Sequence, residues 1–155
     1  MILADRQAAE IDGDFVVFLI GMRINRLWKL HRWWQLAGAM GGMIRELHQH
    51  PDMGLLHART HLGFPGLMMV QYWRSFAQLQ NYATRADAQH LPAWRNFNRM
   101  VGTNGDVGIW HETYLINAGQ SESIYVNMPP YGLGRAGQLV PAQGRKSSAK
   151  GRLGH

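Results

Sequence analysis

The sequence predicts an α+β fold of the ferredoxin-like βαββαβ type, with one antiparallel sheet carrying helices on one face. Three observations predict it. Strand-length apolar runs stand at Asp14–Ile24 and Val107–Ile116. Between them, residues 54–73 read as a hairpin. Helix-period stretches fill the two remaining gaps, which sets the order strand, helix, strand, strand, helix, strand.

Each element has its own signal. DFVVFLIGMRI (14–24) is apolar on both faces, as a central strand must be. Leu30, Trp33, Trp34, Ala37, Met40, Ile44 and Leu47 then recur at steps of three and four, the stripe of an amphipathic helix. Gly41-Gly42 in its middle predict close packing or a bend, and Pro51 stops it. In GLLHARTHLG (54–63), His57, Arg59 and His61 alternate with apolar neighbours, so this strand has one polar face. Phe64-Pro65-Gly66 is a turn, and Leu67–Trp73 returns as the hairpin partner. Past Arg74-Ser75 the chain reads as a helix, broken near Ala86-Asp87, then a second helix bearing His90, Trp94, Arg95 and Phe97. A glycine-rich loop at 102–106 leads into the last long strand, and Ser123–Val126 is a candidate edge piece.

The expected organisation is an N-terminal extension (1–13), one folded domain (14–131) and a disordered basic tail (132–155). The net charge of +6 is concentrated in that tail, where Arg135, Arg145, Lys146, Lys150 and Arg152 face no acid. A nucleic-acid-binding fold would carry such charge on its folded surface, so no specific nucleic-acid partner is expected. The chain has no cysteine, which excludes disulfides, thiolate catalysis and cysteine-ligated metal, and fits a cytoplasmic location. Asp5, Arg6, Glu10 and Asp12 are incompatible with a signal-peptide core. Phe15–Met22 is far shorter than the roughly 20 residues of a membrane span. A one-sided sheet leaves its other face bare, so a homodimer joined sheet to sheet is expected.

Among candidate site residues, His90 begins a helix just before Leu91-Pro92. It reads either as a general base, hydrogen-bond donor or haem-iron ligand, or as a boundary histidine bonded to backbone. His57 and His61 on a strand lie about 13 Å apart, too far to share a zinc ion. Glu112 sits between Trp110 and Tyr114, either as a structural ion pair, with Arg23 as the candidate partner, or as a carboxylate of raised pKa. No catalytic triad, P-loop or dinucleotide-binding glycine pattern is present.

The segments DFVVFLIGMRINRLWKLHRWW, VQYWRSF, HLPAWRNFNR and GDVGIWHETY together resemble a bacterial and fungal family of small monooxygenase-like proteins of unknown function. That family includes a fungal monooxygenase of the fumagillin pathway, and the resemblance spans about Asp14–Leu133. It is similar in turn to the dimeric α/β-barrel superfamily, which contains cofactor-free antibiotic-biosynthesis monooxygenases, haem-degrading monooxygenases and haem-containing aldoxime dehydratases. The resemblance implies a homodimeric oxygenase of secondary metabolism acting on an apolar small molecule, with either no cofactor or haem. If haem is bound, His90 falls near the place of the axial ligand. The expected pocket lies between sheet and helices. His90, Arg95 and Tyr72 are its catalytic candidates, with Met68, Val70, Trp94, Phe97, Asn98, Trp110 and Glu112 binding substrate. A haem protein and a non-catalytic carrier of a hydrophobic ligand are the alternatives.

Overall fold

The computed structural model describes residues 1–29, 38, 41, 42, 44, 45, 47–84, 102 and 104–155. Strands β1 (Gln7–Glu10), β2 (Phe15–Ile24), β3 (Leu55–Gly63), β4 (Gly66–Trp73), β5 (Val107–Ile116) and β6 (Gln138–Pro141) form two sheets. The larger has the order β3-β4-β2-β5, antiparallel throughout. This is the strand order of a ferredoxin-like sheet, with the doubly apolar β2 held between two neighbours as its sequence requires. The smaller sheet pairs β1 with β6.

Alternation along the strands assigns the two faces. Val16 and Trp73, paired across β2 and β4, pack against Leu47 and against Leu79 of helix α1 (Phe76–Thr84). Phe18, Ile44, Met53, Leu55 and Tyr82 complete this core. Trp73 is fully buried, and Leu47 nearly so. Burying such side chains contributes about 1.5–3 kcal/mol each, which ties both crossovers to the same sheet face. α1 starts where the sequence breaks the strand: Ser75 Oγ accepts the Gln78 backbone N–H at 3.2 Å, an N-terminal cap.

Of the expected first helix, the described residues 38, 41, 42, 44, 45 and 47–49 are helical. Gly41 and Gly42 are exposed, with open space where a Cβ would stand. Of the two expectations for them, close packing or a bend, no close packing is found among the described residues. Pro51 opens a short 3-10 turn, Pro51–Met53. At the far end of the sheet, buried Asp106 bonds Arg26 Nη1 at 3.0 Å and Lys29 Nζ at 2.7 Å. Its backbone carbonyl accepts from Asn25 and Arg26 N–H, so the exit of β2 is fastened to the start of β5.

Residues 132–155 were expected to be disordered, and the structure differs. They form helix α2 (Leu133–Ala136), β6, a 3-10 turn (Gly144–Ser147) and helix α3 (Ala149–Arg152). β6 pairs antiparallel with β1, from Gln7↔Pro141 to Glu10↔Gln138. Leu133 and Ala142 are buried, as is Ala8 of the N-terminal strand. Glycine and serine dilute the composition of the segment, yet a few apolar residues suffice once the first residues of the chain supply a strand partner. Ser123–Val126 is not a strand; Tyr125 instead makes a single bridge to Gln7.

Candidate functional site

The helix-facing side of the sheet carries Phe18, Ile20 and Met22 from β2, Met69, Gln71 and Trp73 from β4, and Ile109, His111 and Thr113 from β5. Most are apolar; of the three polar ones, His111 and Thr113 are exposed and Gln71 is buried. It is only 7% exposed. Its Oε1 accepts the Trp73 indole N–H at 2.8 Å, and its Nε2 donates to Met69 Sδ at 3.2 Å. A thioether is a weak acceptor, so this amide keeps donor capacity in an apolar surrounding. His111 lies on the same face, its ring centroid 5.7 Å from that of Phe18.

The opposite face collects several of the sequence-predicted site residues. Met68, Val70 and Tyr72 point there, as do Trp110 and Glu112. They therefore do not wall a space between sheet and helices as expected. The cause is the two-residue side-chain period: Tyr72 and Trp73 are neighbours in sequence and must face apart. Tyr72 stacks on His57 at 6.5 Å between centroids, and its hydroxyl accepts the Leu133 backbone N–H. Burial pushes its phenol above the usual range, and Tyr125 and Tyr131 add to the shift. Burial likewise lowers the pKa of His57, helped by repulsion from Arg135, His48 and Arg59. His57 Nε2 is buried with no hydrogen-bond partner among the described residues.

Glu112 is not a buried carboxylate. It is exposed and accepts the Tyr114 hydroxyl at 2.5 Å, which raises the Tyr114 pKa. The expected Arg23 partner bonds Asn25 Oδ1 at 3.4 Å instead. Trp110 lies over Gly21, where a Cβ would come within 2.4 Å of the indole. His90, Trp94, Arg95, Phe97 and Asn98 lie outside the described residues. Sequence reasoning missed Gln71, although one signal was available: it is the polar residue among the helix-facing positions of β4, between Met69 and Trp73. Among the described residues, no group of three His, Asp or Glu side chains is placed to hold a metal ion. Among them too, no helix is long and apolar enough to cross a membrane.

Strand order, antiparallel pairing and a mostly apolar face toward the crossover helices define a ferredoxin-like α+β domain. The chain of an aldoxime dehydratase (OxdRE) in complex with butyraldoxime has this fold. It matches with a TM-score of 0.67 at 14% identity, over 87% of this chain and 39% of that one. SnoaB, a cofactor-independent oxygenase from Streptomyces nogalater, matches with a TM-score of 0.47 at 10% identity, over 65% of this chain and 91% of that one. No curated protein matches in sequence. Residues 15–133 match the family described as monooxygenase af470-like, and the chain belongs to that family.

Proposed function

We propose that the protein is an oxygenase that oxidises an apolar small molecule held between the sheet and its helices. The observation that carries this is membership of the monooxygenase af470-like family across residues 15–133. The chemistry of the inner face is compatible with it. The partly exposed Phe18 and Ile109 offer apolar contact, and the Gln71 amide offers a hydrogen bond to a substrate oxygen or to an anionic oxygen intermediate. Gln71 takes the polar role first expected of Tyr72, which faces the other way. His90 and Arg95 remain the proposed base and anion stabiliser, with Trp94, Phe97 and Asn98 on the same stretch.

Oxygen uptake by the purified protein with a panel of electron-rich phenols and terpenoids tests the proposal. Turnover that falls at least tenfold in Gln71→Leu, with the fold intact by circular dichroism, is the expected result. Saturable ligand binding without oxygen uptake overturns it in favour of a carrier. Haem is the alternative cofactor reading, with His90 as its ligand. A Soret band that disappears in His90→Ala supports haem, and a colourless active protein excludes it.

The homodimer belongs to the same proposal. On the outer face, Trp110 is 38% and Tyr114 47% exposed, which suits burial against a second copy. Light scattering on Trp110→Asp is expected to give half the mass of the parent protein. A parent mass equal to one chain at micromolar concentration counts against the dimer. We place the protein in the cytoplasm, where a chain without cysteine has no disulfide for the reducing environment to break.

A further inference from the structure

The segments on either side of the family-matched region fold against each other and, with the 119–122 loop inside that region, line an open cavity of about 570 Å³. Its walls come from β1, the 119–122 loop and residues 143–154. None of the oxygenase candidates among the described residues lines it. Arg152 is its fixed element, with a side chain only 8% exposed. Nε and Nη2 of Arg152 both reach Glu122 Oε2 at 2.7 Å, and Nη1 donates to the Lys146 carbonyl at 2.9 Å. A guanidinium has five N–H donors, so two remain unassigned among the described residues. Lys146 pairs with Glu10.

Both carboxylates of the lining are therefore engaged, while Arg145 has no ion-pair partner among the described residues. The wall between these cations is closed by Gly151, where a Cβ would stand 1.8 Å from the Arg145 carbonyl oxygen. Only glycine permits that approach. The lining thus combines a surplus cation, a buried arginine with spare donors and a backbone packed tightly enough to hold them.

We propose that this cavity binds a small molecule bearing an oxyanion, a phosphate or a carboxylate. Arg145 contacts the anion, and Arg152 serves as the preorganised wall behind it. A guanidinium suits either oxyanion because its planar fork matches two oxygens at once.

Calorimetric titration of the full chain with inorganic phosphate and, separately, with malonate tests this, with ionic strength held constant by chloride. Saturable millimolar or tighter binding of either anion is expected, weakened about tenfold by Arg145→Gln. Arg23→Gln, on the large sheet and equal in charge, is the control and should leave binding unchanged. Preference for phosphate or for malonate assigns the headgroup. If neither anion binds saturably, or if both substitutions weaken binding alike, the site is only a diffuse positive field and the proposal is overturned. Thermal melting of Arg145→Gln without added anion shows that a lost signal is not a lost fold.

Discussion

The outer face of the large sheet is divided, and its two halves solve the same problem differently. Over β3 and β4 the chain covers itself. Tyr131 lies under the Arg59 guanidinium, 4.3 Å from ring centroid to Cζ, and meets His61 edge-on at 6.1 Å. Tyr72 and Tyr125 accept the N–H groups of Leu133 and Gly134. Over β5 no comparable cover exists among the described residues, and Trp110, Glu112 and Tyr114 stand in the open. A sheet face backed by its own chain is committed to a permanent role in stability. A sheet face left exposed and aromatic is free to associate. The monomer therefore carries only half of the bare face that the strand order alone implies.

The largest expected effect attacks the covered half. Tyr131→Ala removes the ring that Arg59 and His61 pack against, and should lower unfolding free energy by roughly 2 kcal/mol in a urea titration. A loss indistinguishable from that of an exposed substitution would show that the cover contributes nothing. On the open half, Gly21→Ala forces the Trp110 indole off the sheet and should cost about 1–2 kcal/mol. The cost should vanish in the Gly21→Ala/Trp110→Ala pair, since the clash partner is gone. Persistence of the cost would point to backbone strain instead.

This division was only partly legible in the sequence. The strand order was, because the strands carry apolar periodicity over eight to ten residues and the turns are marked by Gly and Pro. The faces were not. β2 is apolar at Val16, Phe18, Ile20 and Met22 and again at Phe15, Val17 and Leu19, so period alone does not say which side meets the helices. Tyr72 was accordingly assigned to the pocket and Gln71 overlooked. The cover was illegible for a different reason. β6 is four residues long, in a stretch dominated by glycine and charge, and its partner lies more than 125 residues away. No local window contains both halves of that pairing.

Titration separates the two halves further. Burial and the neighbouring Arg135, His48 and Arg59 lower the folded-state pKa of His57 below 6.5. The unfolded chain then binds that proton more readily, so the stability contributed by neutral His57 is present above pH 6.5 and lost as pH falls below it. His57→Phe should flatten this acid-side decline in thermal melts. Tyr72, whose folded-state pKa is raised above 10, contributes in the opposite range: stability holds below pH 10 and falls as the unfolded phenol ionises above it.

On the open half, the pKa of Tyr114 is also raised, by its hydrogen bond to Glu112, but the group stands in water. Water screens that interaction and replaces it when it is lost. At dilutions where the protein is a single chain, Tyr114→Phe should therefore leave the melting temperature and its alkaline decline unchanged, while Tyr72→Phe removes that decline at any concentration. If the two substitutions act alike, the open half is covered in solution by something absent from the single chain. A second copy of the protein would then be the first candidate, and the effect of Tyr114→Phe would diminish on dilution.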